Sequence, residues 1–396
     1  MRIFKKVMIG LLVPLLLLPF MQVAEAQGTI PDPSTHAQSA ALIDVTSGRI
    51  LYSKDGDKEL RIASLTKIMT AIVAIEQGKL DDKVKVSSTA FAKEGSSLYL
   101  KLGEEMTLEN MLYGLMLRSG NDAASAIAEH VGGSEEGFVL LMNQKAEEIG
   151  LKHSHFMNPH GLDADGHYST ANDLARLTAY ALHNPVFKRI VATEDKSAPN
   201  PNENWEYSWH NKNKMLRLYE GADGVKTGYT KKAFRCLVSS ATRNGQQLAA
   251  VTLNDGDDWN DHARMLDFGF ENFPLVEIAQ KEQPVANTNV ITGRGFTYPL
   301  AKSEKSGVTK KLVLTTNSSE TRSEKNEEQL GPSFGLAGRI DLELKGEFIG
   351  SIPVYRKGSY IPPEPKSEEE AALGEIGKVS TWATAWRAVL GHLLSP

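Results

Sequence analysis

The sequence contains very little cysteine, and this scarcity excludes a protein stabilised by disulfides. Its 396 residues include a single cysteine, Cys236. An intrachain disulfide needs two cysteines, so the chain folds without one. Cys236 lies in the apolar, strand-like run FRCLVSSA. We therefore expect a buried packing residue rather than a nucleophile.

The sequence also lacks an excess of basic residues. It carries 44 lysines and arginines against 49 aspartates and glutamates, which gives a formal net charge of −5. Proteins that bind nucleic acids usually present a basic patch or stripe, and their domains are strongly basic. We therefore expect no nucleic-acid partner.

The one long apolar run lies at the start of the chain, and Pro14 and Pro19 interrupt it. A basic segment precedes the run, and Ala24 and Ala26 follow it in an A-x-A pattern. This order is typical of a secretory signal peptide, which we predict at 1–26. A retained membrane anchor is the alternative, but it needs a longer uninterrupted apolar span.

The central part of the chain combines strand and helix patterns. The run AALIDVTSGRILYSK predicts a β-hairpin, and helical periodicity dominates from 64 to 190. Three strand-like runs (DGVKTGYT, FRCLVSSATR and QLAAVTLND) and a closing helix follow. We predict an α+β fold over residues 27–275, with a mainly antiparallel sheet and helices packed on it.

The last third of the chain has a different pattern. Short β-rich runs separated by turn residues predict a small all-β domain at 276–362. Residues 363–396 begin as a polar linker and end in a pattern with Trp382 and Trp386 on one helical stripe. This helix either lies on a membrane surface or packs on the β domain.

A lysine stands in the apolar helical stretch RIASLTKIMTAIVAIEQ, three positions after a serine. Residues three apart share one face of a helix, so Ser64 and Lys67 are predicted to be neighbours. Burial against apolar side chains lowers the pKa of a lysine, and a neutral amine can accept the serine proton. The alternative is a serine that caps the helix and a lysine that extends to solvent.

Two further short motifs carry groups that suit peptide chemistry. S-G-N at 119–121 lies between two helical patterns, and K-T-G at 226–228 lies in a strand-like run. A loop serine can relay a proton, and an asparagine can pair with a peptide amide. A glycine without Cβ on an edge strand lets a substrate backbone lie alongside. Each triplet alone is common, and a similar triplet, K-S-G, occurs at 305–307.

The three motifs in this order form the S-x-x-K, S-x-N and K-T-G set of β-lactamases and penicillin-binding proteins. The sequence resembles the low-molecular-mass D-alanyl-D-alanine carboxypeptidases of peptidase family S11, and it is most similar to the sporulation-type enzymes of endospore-forming bacteria. The resemblance continues through NPHGLDADGHYSTANDLA and covers residues 38 to about 275.

The resemblance implies a serine β-lactamase/DD-peptidase-like fold and a role for each matching position. Ser64 would be the acyl nucleophile and Lys67 the general base, and Ser119 with Lys226 would relay a proton to the leaving amine. The backbone N–H groups of Ser64 and Tyr229 would form the oxyanion hole. The substrate-binding residues would be Asn121, Lys226, Thr227, Gly228 and Tyr229, and His160 is a further candidate.

The family also implies the activity, the ligands and the location. We expect a serine D-Ala-D-Ala carboxypeptidase that acts on peptidoglycan stem peptides in cell-wall maturation, with no cofactor and no metal. β-Lactam antibiotics would acylate the same serine. The enzyme would be exported to the outer face of the cytoplasmic membrane and held there peripherally by its terminal helix.

One departure from the family pattern and several alternatives accompany this interpretation. Many relatives carry an arginine near position 258 that is thought to hold the substrate carboxylate, whereas here Arg264 is out of register. His153, His155, His160 and His167 lack a metal-ligand spacing. A class A β-lactamase would carry E-x-x-L-N, which is absent. A wall-binding scaffold would not need the intact motifs, and transpeptidation through the same acyl-enzyme stays open.

Overall fold

A five-stranded antiparallel sheet lies at the centre of the larger part of the molecule. The computed structural model describes residues 31–315 and 335–363, and the described residues from Asp32 onward belong to one unit. The strands are β1 (Ser39–Asp44), β2 (Ile50–Lys54), β3 (Lys83–Lys85), β4 (Glu105–Thr107), β5 (Asp195–Ala198), β6 (Tyr207–His210), β7 (Ala222–Thr230), β8 (Phe234–Arg243), β9 (Gln246–Leu253), β10 (Leu275–Ala279), β11 (Val290–Thr292), β12 (Phe296–Pro299), β13 (Val308–Leu314), β14 (Leu336–Leu344) and β15 (Glu347–Arg356).

Most of the helices lie between the first two strands and the K-T-G strand. Several begin at a side chain that accepts a backbone N–H: Asn184 accepts from Val186 and Phe187, and Pro185 occupies the first turn. The helices are α1 (Thr66–Gln77), α2 (Ser88–Phe91), α3 (Leu108–Tyr113), α4 (Asn121–Gly132), α5 (Glu135–Glu148), α6 (Ala171–Leu182), α7 (Pro185–Ala192), α8 (Met215–Leu218) and α9 (Asp258–Asn272).

The order of the central sheet is β2-β1-β9-β8-β7, and every neighbouring pair is antiparallel. The predicted hairpin, the three later strands and the closing helix are therefore all present. β7, which carries K-T-G, lies at one edge of the sheet. An edge strand leaves one row of backbone N–H and C=O groups unpaired, so a substrate peptide can add to it.

Helices cover both faces of this sheet. On one face, a Cβ at Gly269 of α9 would lie within 3 Å of the side chains of Leu42 and Leu248, so the helix packs closely on these strands. Ile43, the next residue after Leu42, points the other way into the main core, which it shares with Ile68 of α1. This alternation fits the predicted α+β layers.

The structure differs from the sequence prediction at two helix ends: the start of the helix that carries Lys67 and the end of the helix before the S-G-N motif. The α-helix begins at Thr66 rather than at Ser64, which lies in a short 3-10 turn. The helical pattern before the S-G-N motif continues past α3 as one turn of π-helix at Gly114–Arg118 and then stops. The cause is the left-handed conformation of Ser119, with φ of 66°, which ends the helical hydrogen-bonding pattern.

The region after α9 is built from strands, as the β-rich pattern predicts. β10 pairs with β12, and a second sheet has the order β11-β15-β14-β13. Arg49 at the start of the β2 segment joins this region to the central sheet. Its guanidinium pairs with Glu304 at 2.8 Å, donates to the carbonyl of Pro299 and lies over the rings of Phe273 and Tyr298.

The signal peptide predicted at 1–26 and the terminal helix predicted within 363–396 lie outside the described residues. Among the helices that are described, none has the length and apolar character needed to cross a membrane.

Candidate active site

Ser64 lies in a 3-10 turn, Ala63–Leu65, that leads directly into α1. Ala63 has a φ of +48°, and the turn is packed against Gly161 of a neighbouring loop. A Cβ at Gly161 would lie 1.9 Å from the Ala63 carbonyl oxygen, so no other residue fits there without a shift. Ser64 is partly exposed, whereas its two neighbours in the turn are buried. The turn therefore leaves the serine hydroxyl accessible.

Lys67 is fully buried one helical turn later, at 0 % exposure. Its Nζ lies 3.2 Å from Ser64 Oγ, 2.7 Å from Asn121 Oδ1 and 2.6 Å from the carbonyl oxygen of His160. A neutral amine has two N–H groups and one lone pair. The two short contacts suit the N–H groups, and the lone pair is then left to accept the serine O–H.

The surroundings of Lys67 favour this neutral form. Burial places the pKa of Lys67 well below its ordinary value, and the charges of Lys226 and Lys212 lower it further. Asp122 acts in the opposite direction but is the weakest of the four effects. No carboxylate in the described part of the chain forms an ion pair with Lys67.

The S-G-N segment places two side chains beside this lysine. Asn121 begins α4, and its amide donates to the carbonyl of Glu94 at 2.7 Å while its oxygen accepts from Lys67. Ser119 is 4 % exposed, and its Oγ has no hydrogen-bond partner among the described residues. A buried hydroxyl without a partner is uncommon, and here it leaves a donor and an acceptor for a ligand.

The K-T-G strand passes directly in front of the serine turn. A Cβ at Gly228 would lie 3.2 Å from the backbone nitrogen of Ser64 and 3.3 Å from Ala63 Cβ, so glycine allows β7 to approach the turn. Lys226, on the same face two residues earlier, is buried and donates to the carbonyl of Thr227. Burial, with a smaller effect of the Lys212 charge, lowers the pKa of Lys226 to about 7.

Helix, loop and edge strand thus meet around the partly exposed hydroxyl of Ser64. A family model described as D-alanyl-D-alanine carboxypeptidase, peptidase S11, matches residues 25–257. This chain belongs to the peptidase S11 family. The predicted family is confirmed, and within the family two curated relatives align over most of their own length. D-alanyl-D-alanine carboxypeptidase DacF of Bacillus subtilis is 34% identical over 92% of this chain and 94% of that protein. DacC of Escherichia coli is 32% identical over 83% and 85%.

Solved structures of D-alanyl-D-alanine carboxypeptidases share the fold. The D-alanyl-D-alanine carboxypeptidase of Mycobacterium tuberculosis is 33% identical, with a TM-score of 0.59 over 63% of this chain and 96% of that one. DacD of Francisella tularensis is 25% identical, with a TM-score of 0.62 over 86% and 99%. The predicted fold class, a DD-peptidase-like domain followed by a β domain, is confirmed.

The remaining predicted site residues fall into two groups. Thr227 and Tyr229 lie on β7 beside Gly228, and Tyr229 is exposed. His160 contributes its backbone carbonyl to Lys67, while its ring nitrogen Nδ1 accepts the N–H of Leu162. Burial, aided by the Lys67 charge, lowers the pKa of His160 to about 3, so the ring is neutral near pH 7.

The arginines around residue 258, where relatives carry the residue thought to hold the substrate carboxylate, both form ion pairs with aspartates of this chain. Arg264 pairs with Asp261 and lies 3.9 Å from Asp257, and Arg235 pairs with Asp258. Each guanidinium therefore already has a carboxylate partner. The sequence departure near residue 258 corresponds to an acidic segment in the structure, not to a displaced arginine.

Three side chains in the described ranges have ligand atoms close enough to share a metal ion: His36, Asp257 and Asp261. The Arg264 guanidinium contacts both of these carboxylates, and His36 bonds to Asp261. We describe the group as an ion-pair network that joins the segment before β1 to α9.

Sequence reasoning missed two residues that shape the site. Asp122 is buried at the start of α4 and accepts the N–H groups of Leu98 and Leu100 and the hydroxyl of Ser97, which fixes that turn beside Asn121. Lys212 lies near Lys226 although no motif includes it. Lys212 reaches the site only because segments distant in sequence pack together, so no local sequence pattern could have predicted its position.

Proposed function

We propose that this chain is a serine carboxypeptidase that removes the terminal D-alanine from peptidoglycan stem peptides through an acyl-enzyme on Ser64. The observation that carries the proposal is the arrangement of Lys67: a buried amine without an ion pair, whose Nζ is 3.2 Å from Ser64 Oγ. Membership of a family described as D-alanyl-D-alanine carboxypeptidase supports the substrate.

In the acylation step, Ser64 Oγ attacks the carbonyl carbon of the penultimate D-alanine, and Lys67 takes the hydroxyl proton. The oxyanion is placed against the backbone N–H groups of Ser64 and Tyr229, where two fixed donors stabilise the tetrahedral intermediate. The peptide bond then breaks. Ser119, whose hydroxyl is otherwise unpartnered, and Lys226 relay the proton that Lys67 took from Ser64 to the leaving amine, and Lys67 is then neutral again.

In the deacylation step, water attacks the ester carbonyl, and the neutral Lys67 accepts a proton from that water as it did from the serine. Lys67 returns this proton to Ser64 Oγ as the ester bond breaks, and the shortened stem peptide leaves. A β-lactam presents a strained amide to the same hydroxyl and forms the same kind of ester, but its leaving group stays attached, so the enzyme remains labelled.

Ser64→Ala tests this function directly. We expect loss of D-alanine release from a pentapeptide and loss of labelling by a fluorescent penicillin, because both require the Ser64 ester. Intact mass after labelling, followed by peptide mapping, should place the label in IASLTK.

Ser87→Ala is the matched control, since Ser87 caps α2 away from the site and should leave both activities intact. A label in another peptide, or activity that survives Ser64→Ala, would refute the assignment. Repeated hydrolysis of penicillin would indicate a β-lactamase instead.

The proposal includes export and peripheral attachment to the membrane. Export rests on the signal-peptide pattern at 1–26, and membrane attachment rests on the aromatic stripe within 363–396. We further propose that the remaining chain consists of a catalytic domain (27–275) and a β domain (276–362). Deleting 363–396 should move the protein from the membrane fraction to the soluble fraction. The similarity to sporulation-type enzymes further suggests a part in spore-wall maturation, which expression timing would test.

A further inference from the structure

A buried histidine outside the three motifs is joined to the serine turn by a chain of hydrogen bonds. His167 is buried, and its ring nitrogen Nε2 lies 2.8 Å from Thr66 Oγ1. The Thr66 hydroxyl, which is also buried, donates to the carbonyl oxygen of Ala63 at 2.8 Å. Ala63 immediately precedes Ser64. The chain of bonds therefore ends at the peptide group that carries the Ser64 N–H.

The direction of each hydrogen bond in this chain is fixed by groups that only donate or only accept. At one end, the backbone N–H of Met157 donates to His167 Nδ1 at 3.0 Å, so Nδ1 carries no proton. Burial lowers the pKa of His167 to about 4, so the ring is neutral near pH 7 and its proton is on Nε2. Nε2 then donates to Thr66 Oγ1. At the other end the Ala63 carbonyl only accepts, so the Thr66 hydroxyl points its proton at it.

The peptide group between Ala63 and Ser64 has its two polar atoms on opposite sides of the turn. Its oxygen faces the neighbouring loop, where a Cβ at Gly161 would come within 1.9 Å. Its nitrogen faces β7, where a Cβ at Gly228 would lie 3.2 Å away. The C=O and N–H of a trans peptide lie in one rigid plane and point in opposite directions. Whatever holds the Ala63 oxygen therefore also aims the Ser64 N–H.

This peptide group needs more than the turn itself to hold it. Ala63 has a φ of +48°, a left-handed conformation that a residue with a Cβ rarely adopts. The backbone N–H of Thr66 reaches the Ala63 oxygen across a 3-10 turn, in which hydrogen-bond geometry is poorer than in an α-helix. The Thr66 hydroxyl is a second donor to the same oxygen. By donating to that hydroxyl, His167 fixes its rotation.

We propose that His167 is a positioning residue for acylation: through the Thr66 hydroxyl and the Ala63 carbonyl it fixes the direction of the oxyanion-hole N–H of Ser64. The inference rests on the proposed function and adds to it a residue outside the catalytic motifs. The His167 ring bonds to Thr66 and Met157, so its influence on the reaction passes through the turn. Fixed donors stabilise an oxyanion best when they need no reorientation during the reaction.

Thr66→Val tests the link between the histidine and the turn, because valine has nearly the same shape without the hydroxyl. Acylation by penicillin should slow about tenfold, which is less than the effect of deleting an oxyanion-hole donor outright, because the N–H is misdirected and not removed. For a pentapeptide substrate, kcat should fall by a similar factor with KM little changed, since the contact is made in the transition state. Thr66→Ser keeps the hydroxyl and should recover most of the rate.

Two substitutions of His167 test the same chain from its other end. His167→Leu removes the donor to Thr66 and should slow acylation as Thr66→Val does. His167→Gln offers an amide N–H in place of Nε2 and should retain more of the rate. Because both positions act on one carbonyl, the double variant His167→Leu with Thr66→Val should be no slower than the slower single variant.

Thr70→Val is the matched control for a buried hydroxyl on α1. Thr70 lies one turn after Thr66 and donates to the carbonyl of Pro159 at 2.6 Å, in the loop that also carries Gly161. Its loss removes a comparable hydrogen bond between the same helix and loop but does not touch the Ala63 carbonyl. Thr70→Val should therefore lower stability as Thr66→Val does and leave acylation at the wild-type rate.

Infrared difference spectra of the penicilloyl enzyme separate positioning from loss of stability. The carbonyl of the Ser64 ester lies in the oxyanion hole, where hydrogen bonds lower its stretching frequency, and penicillin labelled with carbon-13 at the β-lactam carbonyl identifies the band. Thr66→Val and His167→Leu should move this band to higher frequency, whereas Thr70→Val should leave it in place.

The outcomes distinguish this inference from the proposed function. An unshifted band in Thr66→Val and His167→Leu, with or without slower acylation, would overturn the positioning role while the carboxypeptidase function stands. An equal shift in Thr70→Val would also overturn it, because the effect would then be a general loosening of α1 against the loop. A wild-type protein that forms no penicilloyl ester on Ser64 would overturn both proposals.

Discussion

Two buried lysines lie at opposite ends of helix α1, one within its first turn and one beside its last turn, and the groups that face them differ. Lys67 at the start of the helix is 0 % exposed, and its side-chain partners are the hydroxyl of Ser64 and the neutral amide of Asn121. Lys145, on α5, is 8 % exposed and pairs with Glu76 at 2.8 Å and Glu148 at 2.6 Å.

Burial is followed by opposite net pKa shifts at the two lysines. Burial lowers the pKa of Lys145, but the hydrogen bonds that its ammonium donates to Glu148 and Glu76 outweigh this effect, so the net pKa is raised. At Lys67 burial acts with neighbouring positive charges, and the pKa is lowered. A lysine in this fold is therefore a structural cation where a carboxylate faces it and a candidate base where an amide does.

The largest expected effect comes from giving Lys67 the kind of partner that Lys145 has. Asn121→Asp places a carboxylate 2.7 Å from Nζ in nearly the same volume. It should raise the pKa of Lys67 and lower acylation by penicillin at pH 7 about a hundredfold, in line with the loss of a general base. The rate should recover as the pH rises.

Stopped-flow acylation between pH 6 and 10 measures this effect. Asn143→Asp is the control, because Asn143 is a structural amide on α5 that bonds to Phe156. An Asn121→Asp enzyme with wild-type rate and pH profile would show that Lys67 does not act as a neutral base.

The sequence predicted the parts of this comparison that depend on local pattern. The spacing of Ser64 and Lys67 and the strand that carries Gly228 follow from helix and strand periodicity, which neighbouring residues determine. The hairpin formed by β1 and β2 was predicted in the same way. These features survive in the structure because local preference and tertiary packing agree there.

The remaining features depend on contacts between distant segments. Asn121 holds Lys67 across 54 positions of sequence, whereas the motif suggested a substrate ligand. Lys212 meets Ser96 across 116 positions, and Glu76 meets Lys145 on another helix. Such pairings are fixed by how helices and loops pack on the sheet, and a single sequence carries no periodic signal for them.

A smaller effect is expected from removing the paired lysine. Lys145→Met leaves Glu76 and Glu148 without their cation at a partly buried site, and we expect the free energy of unfolding to fall by about 2 kcal/mol. Penicillin acylation should be unchanged, because Lys145 lies at the far end of α1. Urea unfolding at pH 7 measures the first quantity. If the variant were as stable as wild type, the ion pairs of Lys145 would not stabilise the fold. If acylation were slower, Lys145 would influence the site around Lys67.

The smallest effect concerns Lys226, the second buried lysine of the site. Its pKa in the folded chain is about 7 against an ordinary value of 10.5, because burial disfavours the charged form. Between these values the unfolded chain binds more protons than the folded one, so this group makes the free energy of unfolding rise with pH.

Compared with Lys226→Met, which lacks the group, the free energy of unfolding of the wild-type protein should rise by about 1 kcal/mol between pH 7 and pH 8. Parallel urea titrations of the two proteins at both pH values isolate this contribution, since every other titrating group is common to both. If the difference between them did not change with pH, Lys226 would be either charged throughout or paired with an anion, and it would resemble Lys145 rather than Lys67.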